Sequence, residues 1–218
     1  TMWTEWTSYG TDEESPWSWA FTSIEGDGYY EFYSIAVDDI GNAEEPPTTA
    51  DASIGVDTET PVTTHTLDGT MGENRWYVSD VNITISATDA LSGIASIWYM
   101  LDSGNWENYT VPLMVSDDGA LHRICYYSYD VAGNRDVPKI YSFKIDKTPP
   151  VTEHKFNGLI GKEGWFVDDV TVTLGATDAM SGVNYIKYKL NDGNWMTYEI
   201  SFIVTEDGEY TLSYYSVD

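Results

Sequence analysis

The sequence predicts an all-β chain made of small sandwich modules repeated in tandem. Three observations carry this. The stretch "WYVSDVNITISATDALSGIASIWYMLDSGNWENY" from Trp76 returns as "WFVDDVTVTLGATDAMSGVNYIKYKLNDGNWMTY" from Trp165, an offset of 89 residues. Apolar and polar residues alternate with period two, the spacing of a strand with one buried face, and no stretch shows helical periodicity. The chain is also rich in rings and β-branched residues, with 17 Tyr and an aromatic fraction of 15%, a composition that suits pleated surfaces.

Within the repeat that lies whole in the chain, the expected strands run in order. The first spans 62–67. "VNITISA" follows, with Val81, Ile83 and Ile85 on one face and Asn82, Thr84 and Ser86 on the other. Further strands are expected at 94–101, 106–109, 111–115, 121–129 and 140–145. The separators "DALSG", "DSGN", "SDDG" and "DVAGN" are turn sequences, in which Asp accepts backbone N–H bonds and Gly takes positive φ. About seven short strands in roughly 90 residues is the count and size of an immunoglobulin-like sandwich. After Gly119 the register slips by one residue against the next repeat, which points to a bulge or an altered loop.

The expected organisation is a partial module over 1–57 (the back half), a complete module over 58–146, and a module over 147–218 lacking its last strand. In the first, "MWTEW" resembles "NWENY", and "GDGYYEFYSIAVDDIGN" parallels "DDGALHRICYYSYDVAGN". Such bounds suggest either a window from a longer array or a subunit whose end modules are completed by neighbours. The proline-bearing linkers "DTETP" and "DKTPP" stiffen the joints, so a rod-like array of modules is expected.

Composition narrows the function classes. Thirty-six acidic against ten basic side chains give a formal charge of −26, which repels nucleic-acid phosphates and anionic lipid. Cys125 is the single cysteine, so neither an intrachain disulfide nor a thiolate zinc site is available. No apolar run approaches the length of a membrane span.

The pattern "ATDALSGI…Y…SGNW…Y…DDG…YYSYDVAGN…FKIDKTPP" resembles the bacterial and archaeal Ig-like repeats found in tandem in long secreted and cell-surface proteins. The match covers nearly all of 58–218 and the first 57 residues more loosely. The resemblance implies extracellular placement and a stalk, surface-layer, adhesin or filament role. It brings no catalytic residue with it.

Catalytic signatures are absent: there is no phosphate loop, no HExxH, no GxSxG and no EF-hand loop. No enzyme activity and no cofactor are expected. His65 and His154 occupy equivalent positions and read as residues with a shared packing or surface role, and Cys125, replaced by Ser213 in the next repeat, reads as a small strand residue. Asp38, Asp89, Asp130, Asp178 and Asp218 read as turn formers, with no metal ligand assigned. Calcium near Asp57 or Asp146 at the junctions is the alternative, testable by following the melting temperature with EDTA.

The functional candidates are therefore surfaces. Trp98 and Met100 stand where the next repeat carries Lys187 and Lys189, on the face opposite Ile97, Tyr99 and Leu101. Large apolar groups on a face expected to be wet mark a contact for another chain, module or ligand. Trp17 and Trp19 alternate onto one face of "SPWSWAF". Two glycosylation sequons occur, at Asn82 and Asn108. The expected partners are copies of the chain or neighbouring modules, with glycans second. An adhesin module binding carbohydrate or a surface through exposed rings is the competing reading.

Overall fold

The computed structural model describes residues 5–23 and 25–218. Most of "MWTEW" lies outside the described residues. All regular structure of any length is β. In chain order the strands are β1 (Gly28–Phe32), β2 (Ala52–Val56), β3 (Val62–Asp68), β4 (Trp76–Tyr77), β5 (Val81–Thr88), β6 (Ile94–Leu101), β7 (Glu107–Asn108) and β8 (Leu113–Val115). They continue with β9 (Gly119–Asp130), β10 (Lys139–Ile145), β11 (Val151–Asn157), β12 (Val170–Thr177), β13 (Tyr185–Leu190), β14 (Met196–Thr197), β15 (Phe202–Val204) and β16 (Leu212–Val217). Among the described residues helix is confined to single 3-10 turns at Glu73–Arg75 and Lys162–Gly164. Among the described residues no helix is long and apolar enough to cross a membrane.

The middle repeat forms two sheets. One has the order β3-β5-β8 and the other β4-β10-β9-β6-β7. The alternation of β5 points Val81, Ile83 and Ile85 inward, where they meet Ile124 and Tyr126 of β9 and Phe143 and Ile145 of β10 in one buried cluster. Two sheets thus share one core. The hydrophobic effect sets this arrangement, because each sheet has one apolar face that only the other can cover.

Between the sheets run polar pairs as well. Thr63 and Ser128, both buried, share a hydroxyl hydrogen bond at 2.7 Å, and His65 Nδ1 bonds the Tyr126 hydroxyl at 2.6 Å. The third repeat builds the same two links, from Thr152 to Ser216 (2.6 Å) and from His154 to Tyr214 (2.8 Å). Its sheets are β11-β12-β15 and β14-β13-β16. In the first repeat β1 and β2 pair antiparallel, with Gly28 opposite Val56.

The slip after Gly119 is a bulge. His122 pairs with Phe143 but Gly119 pairs with Ile145, so Ala120 and Leu121 together oppose Lys144. Two expectations are corrected. The strand expected at 106–109 shrinks to Glu107–Asn108. That at 111–115 shrinks to Leu113–Val115, because Pro112 has no N–H to give a ladder. A two-residue strand, β4, pairs parallel with β10 through Trp76 and Tyr77, and it is too short to show any periodicity.

Candidate functional site

The repeated turns are built as their sequences require. Asp89 Oδ1 accepts the Gly93 N–H at 2.8 Å and the Leu91 N–H at 3.1 Å. Gly93 adopts φ 84°, a conformation disfavoured for residues with a Cβ. Asp178 repeats this with Gly182 (2.8 Å) and Met180 (2.9 Å). These N–H donors, Gly93 and Gly182 foremost, hold both carboxyls below the usual carboxylate range. The buried Asp130 accepts the Gly133 and Asn134 N–H groups, each at 2.7 Å, and the Asn134 side-chain amide at 2.8 Å. Asp38 forms the same turn with Asn42.

The tertiary fold then gathers these turns at the repeat junctions. Asp57 of the first linker meets Asp89 and Asp130, with one carboxylate oxygen from each lying within 4.8 Å of the others. Asp146 of the second linker meets Asp178 and Asp218 in the same way. Each linker carboxylate is tied into the following repeat, Asp57 by the Ser92 N–H (3.1 Å) and Asp146 by the Ser181 N–H (2.8 Å). The Asn134 amide also donates to the Asp57 carbonyl at 3.0 Å.

Both triads are hard-oxygen donor sets, the type Ca2+ takes at about 2.3–2.6 Å per ligand. Second and third partners for Asp89 are out of sight in the sequence because Asp57 and Asp130 lie 32 and 41 residues away. The signal that could reveal them is the recurrence of all three positions in the next repeat. Among the described residues the ion pairs are Lys139–Asp136 and Lys147–Asp80, with a hydrogen bond of 2.7 Å between His122 and Asp102, and none of them reaches a triad.

The surface candidates fall on different ground. Trp98 and Met100 lie on the outer face of the five-stranded sheet and are half-buried, with the Trp98 indole N–H donating to Ser96 Oγ at 3.1 Å. Cross-strand neighbours supply the cover: Trp98 pairs with Tyr127, and Met100 pairs with Cys125, which pairs in turn with Ile140. Cys125 is buried in this patch. Trp106 packs edge-on against Tyr127 at 4.8 Å and Arg135 lies over the same ring.

Trp17 and Trp19 are exposed, Trp17 at 74%, but the stretch around them forms no strand. Among the described residues no strand pairs with this segment, so it does not present the two rings as a strand face. Trp19 instead packs against Tyr9 and over Gly10, where a Cβ would stand 2.1 Å from the ring. Asn82 and Asn108 are both exposed.

A cleft of about 230 Å³ opens beside the second triad, lined by Trp76 and Val78 of the middle repeat and by Asp146, Ser181 and Asp218. Comparison of the chain with known protein families and with curated proteins finds no match.

Proposed function

We propose that this chain is a non-catalytic structural part of an extracellular filament, stalk or surface layer, its repeats being immunoglobulin-like sandwiches set in a rod-like array. The observation that supports it best is the joint. The same connection occurs twice, with a linker aspartate hydrogen-bonded to the serine of the next repeat's "LSG" or "MSG" turn and a proline three or four residues later. A proline-stiffened linker pinned at its aspartate has little freedom to bend, and a repeated stiff joint is what a load-carrying array needs. The dense negative surface suits a protein that meets other cell-surface polymers without sticking to them.

Electron microscopy of the native cell envelope tests this. Filaments, stalks or a lattice labelled by an antibody to the chain are the expected result. Labelled chain found only as dispersed particles inside the cell overturns it. The competing reading, an adhesin module, draws on the exposure of Trp17. Glycan-array binding that is lost in Trp17→Ala would favour it.

A further inference from the structure

The outer face of the middle repeat's five-stranded sheet carries a row of groups that the third repeat reproduces only in part. Asn108 of β7 stands directly opposite Trp98 of β6, which stands opposite Tyr127 of β9. Directly paired residues project to the same side of a sheet, so the Asn108 amide, the Trp98 indole and the Tyr127 ring share one face. Trp106, two residues before Asn108 and 39% exposed, lies on that face as well and packs on Tyr127. Asn108 opens the acceptor tripeptide Asn108-Tyr109-Thr110, and Asn108 and Thr110 are both exposed.

The third repeat supplies the comparison. Its corresponding ring pair, Trp195 on Tyr215, is kept at 4.9 Å. There Lys189, in place of Met100, sets its ammonium 5.4 Å from the centre of the Trp195 ring, and Lys187, in place of Trp98, lies over Tyr185. Thr197 and Glu199 stand where Asn108 and Thr110 would be, so the acceptor tripeptide is gone. One repeat covers its rings with lysines and has no acceptor asparagine. The other has the acceptor and an uncharged Trp98–Met100 pair, with Arg135 lying over Tyr127 at 5.5 Å and no lysine over Trp98 or Trp106 among the described residues.

We propose that Asn108 carries an N-linked glycan whose first sugar lies against the Trp98 and Trp106 rings, beside the Tyr127 ring that Arg135 covers, taking the place that lysines fill in the third repeat. The inference rests on the extracellular reading, since only an exported chain meets the transferase. In the coupling step the Asn108 amide nitrogen bonds to the anomeric carbon of a lipid-linked glycosyl phosphate. The bond from that carbon to the phosphate oxygen breaks, the lipid phosphate leaves, and one amide proton passes to the transferase's base. The apolar face of a pyranose then covers ring surface that would otherwise face water.

The test uses the chain purified from its native envelope. Peptide mass mapping is expected to find a sugar mass on the Asn108 peptide, and enzymatic removal of the glycan is expected to raise acrylamide quenching of tryptophan fluorescence. Thr110→Val, which leaves Asn108 in place, is expected to lose the sugar mass and to show the raised quenching. Trp98→Lys is expected to keep the mass and lose the quenching difference. An unmodified Asn108 on chain recovered from the cell exterior overturns this inference and leaves the surface role standing. A glycan whose removal leaves quenching unchanged overturns the stacked contact, and chain confined to the cell interior overturns both readings.

Discussion

Asp130 is buried at the end of β9 and satisfies three donors, two of them backbone N–H groups. Asp130→Ala removes those acceptors and is expected to cost about 1–3 kcal/mol, measured as a shift in the urea midpoint. Asp89 is more open, and its two variants separate its roles. Asp89→Ala strips the Leu91 and Gly93 N–H groups of their partner and is expected to lower the midpoint. Asp89→Asn keeps an acceptor but loses the charge that the Gly93 and Leu91 N–H groups favour, so its midpoint is expected to fall between those of the wild type and the alanine variant. An alanine variant as stable as the asparagine one would remove the turn role.

His65 adds a pH response. Burial pushes its imidazole below the ordinary histidine range, so the unfolded chain binds more protons as pH drops below about 6.5. Stability is therefore full above about 6.5 and falls through the window between that value and the folded pKa. Asp89 and Asp178, held below the usual carboxylate range, give stability that is present above about 4 and lost only at lower pH. The two windows are separate. Thermal melts at a series of pH values are expected to show both steps, and His65→Phe is expected to flatten the upper one alone.

At the scale of elements, β3 is fastened to β9 by polar pairs as well as by the core. Thr63 and Ser128 are both fully enclosed, so a single change orphans the other hydroxyl. Ser128→Ala is expected to cost about 1–3 kcal/mol, and Thr63→Val with Ser128→Ala together less than the sum of the single changes. Chemical denaturation of the four proteins checks this, and strict additivity would mean that the pair does not act as one link. Ile83 in the centre of β5 has no exposed surface. Ile83→Ala is expected to cost about 2–5 kcal/mol through lost burial and the cavity left behind.

At the scale of the molecule, a charge of −26 meets few cations. Among the described residues two ion pairs join lysine to aspartate, and the remaining carboxylates repel one another across the surface. Salt screens that repulsion, with a Debye length near 30 Å at about 0.01 M and near 8 Å at about 0.15 M. The melting temperature is therefore expected to rise with sodium chloride over that range. A fall would mean that attractive pairs outweigh the general repulsion.

The class of structure and its repeat were legible in the sequence because both are periodic. Val81, Ile83 and Ile85 alternate with Asn82, Thr84 and Ser86, and a strand that alternates has one face to bury. The turns at Asp89 and Asp178 were legible too, since an Asx turn is formed by residues two to four apart. What joins distant positions was not. Asp57, Asp89 and Asp130 converge only when β3 pairs with β5 and β6 pairs with β9, and Asn108 faces Trp98 only through the β6–β7 pairing. Local order in the chain follows from neighbours along it, so the sequence determined strands, turns and repeats. Which carboxylates meet and which ring an asparagine faces depend on contacts between residues far apart in the chain, and only the packed sheets decide those.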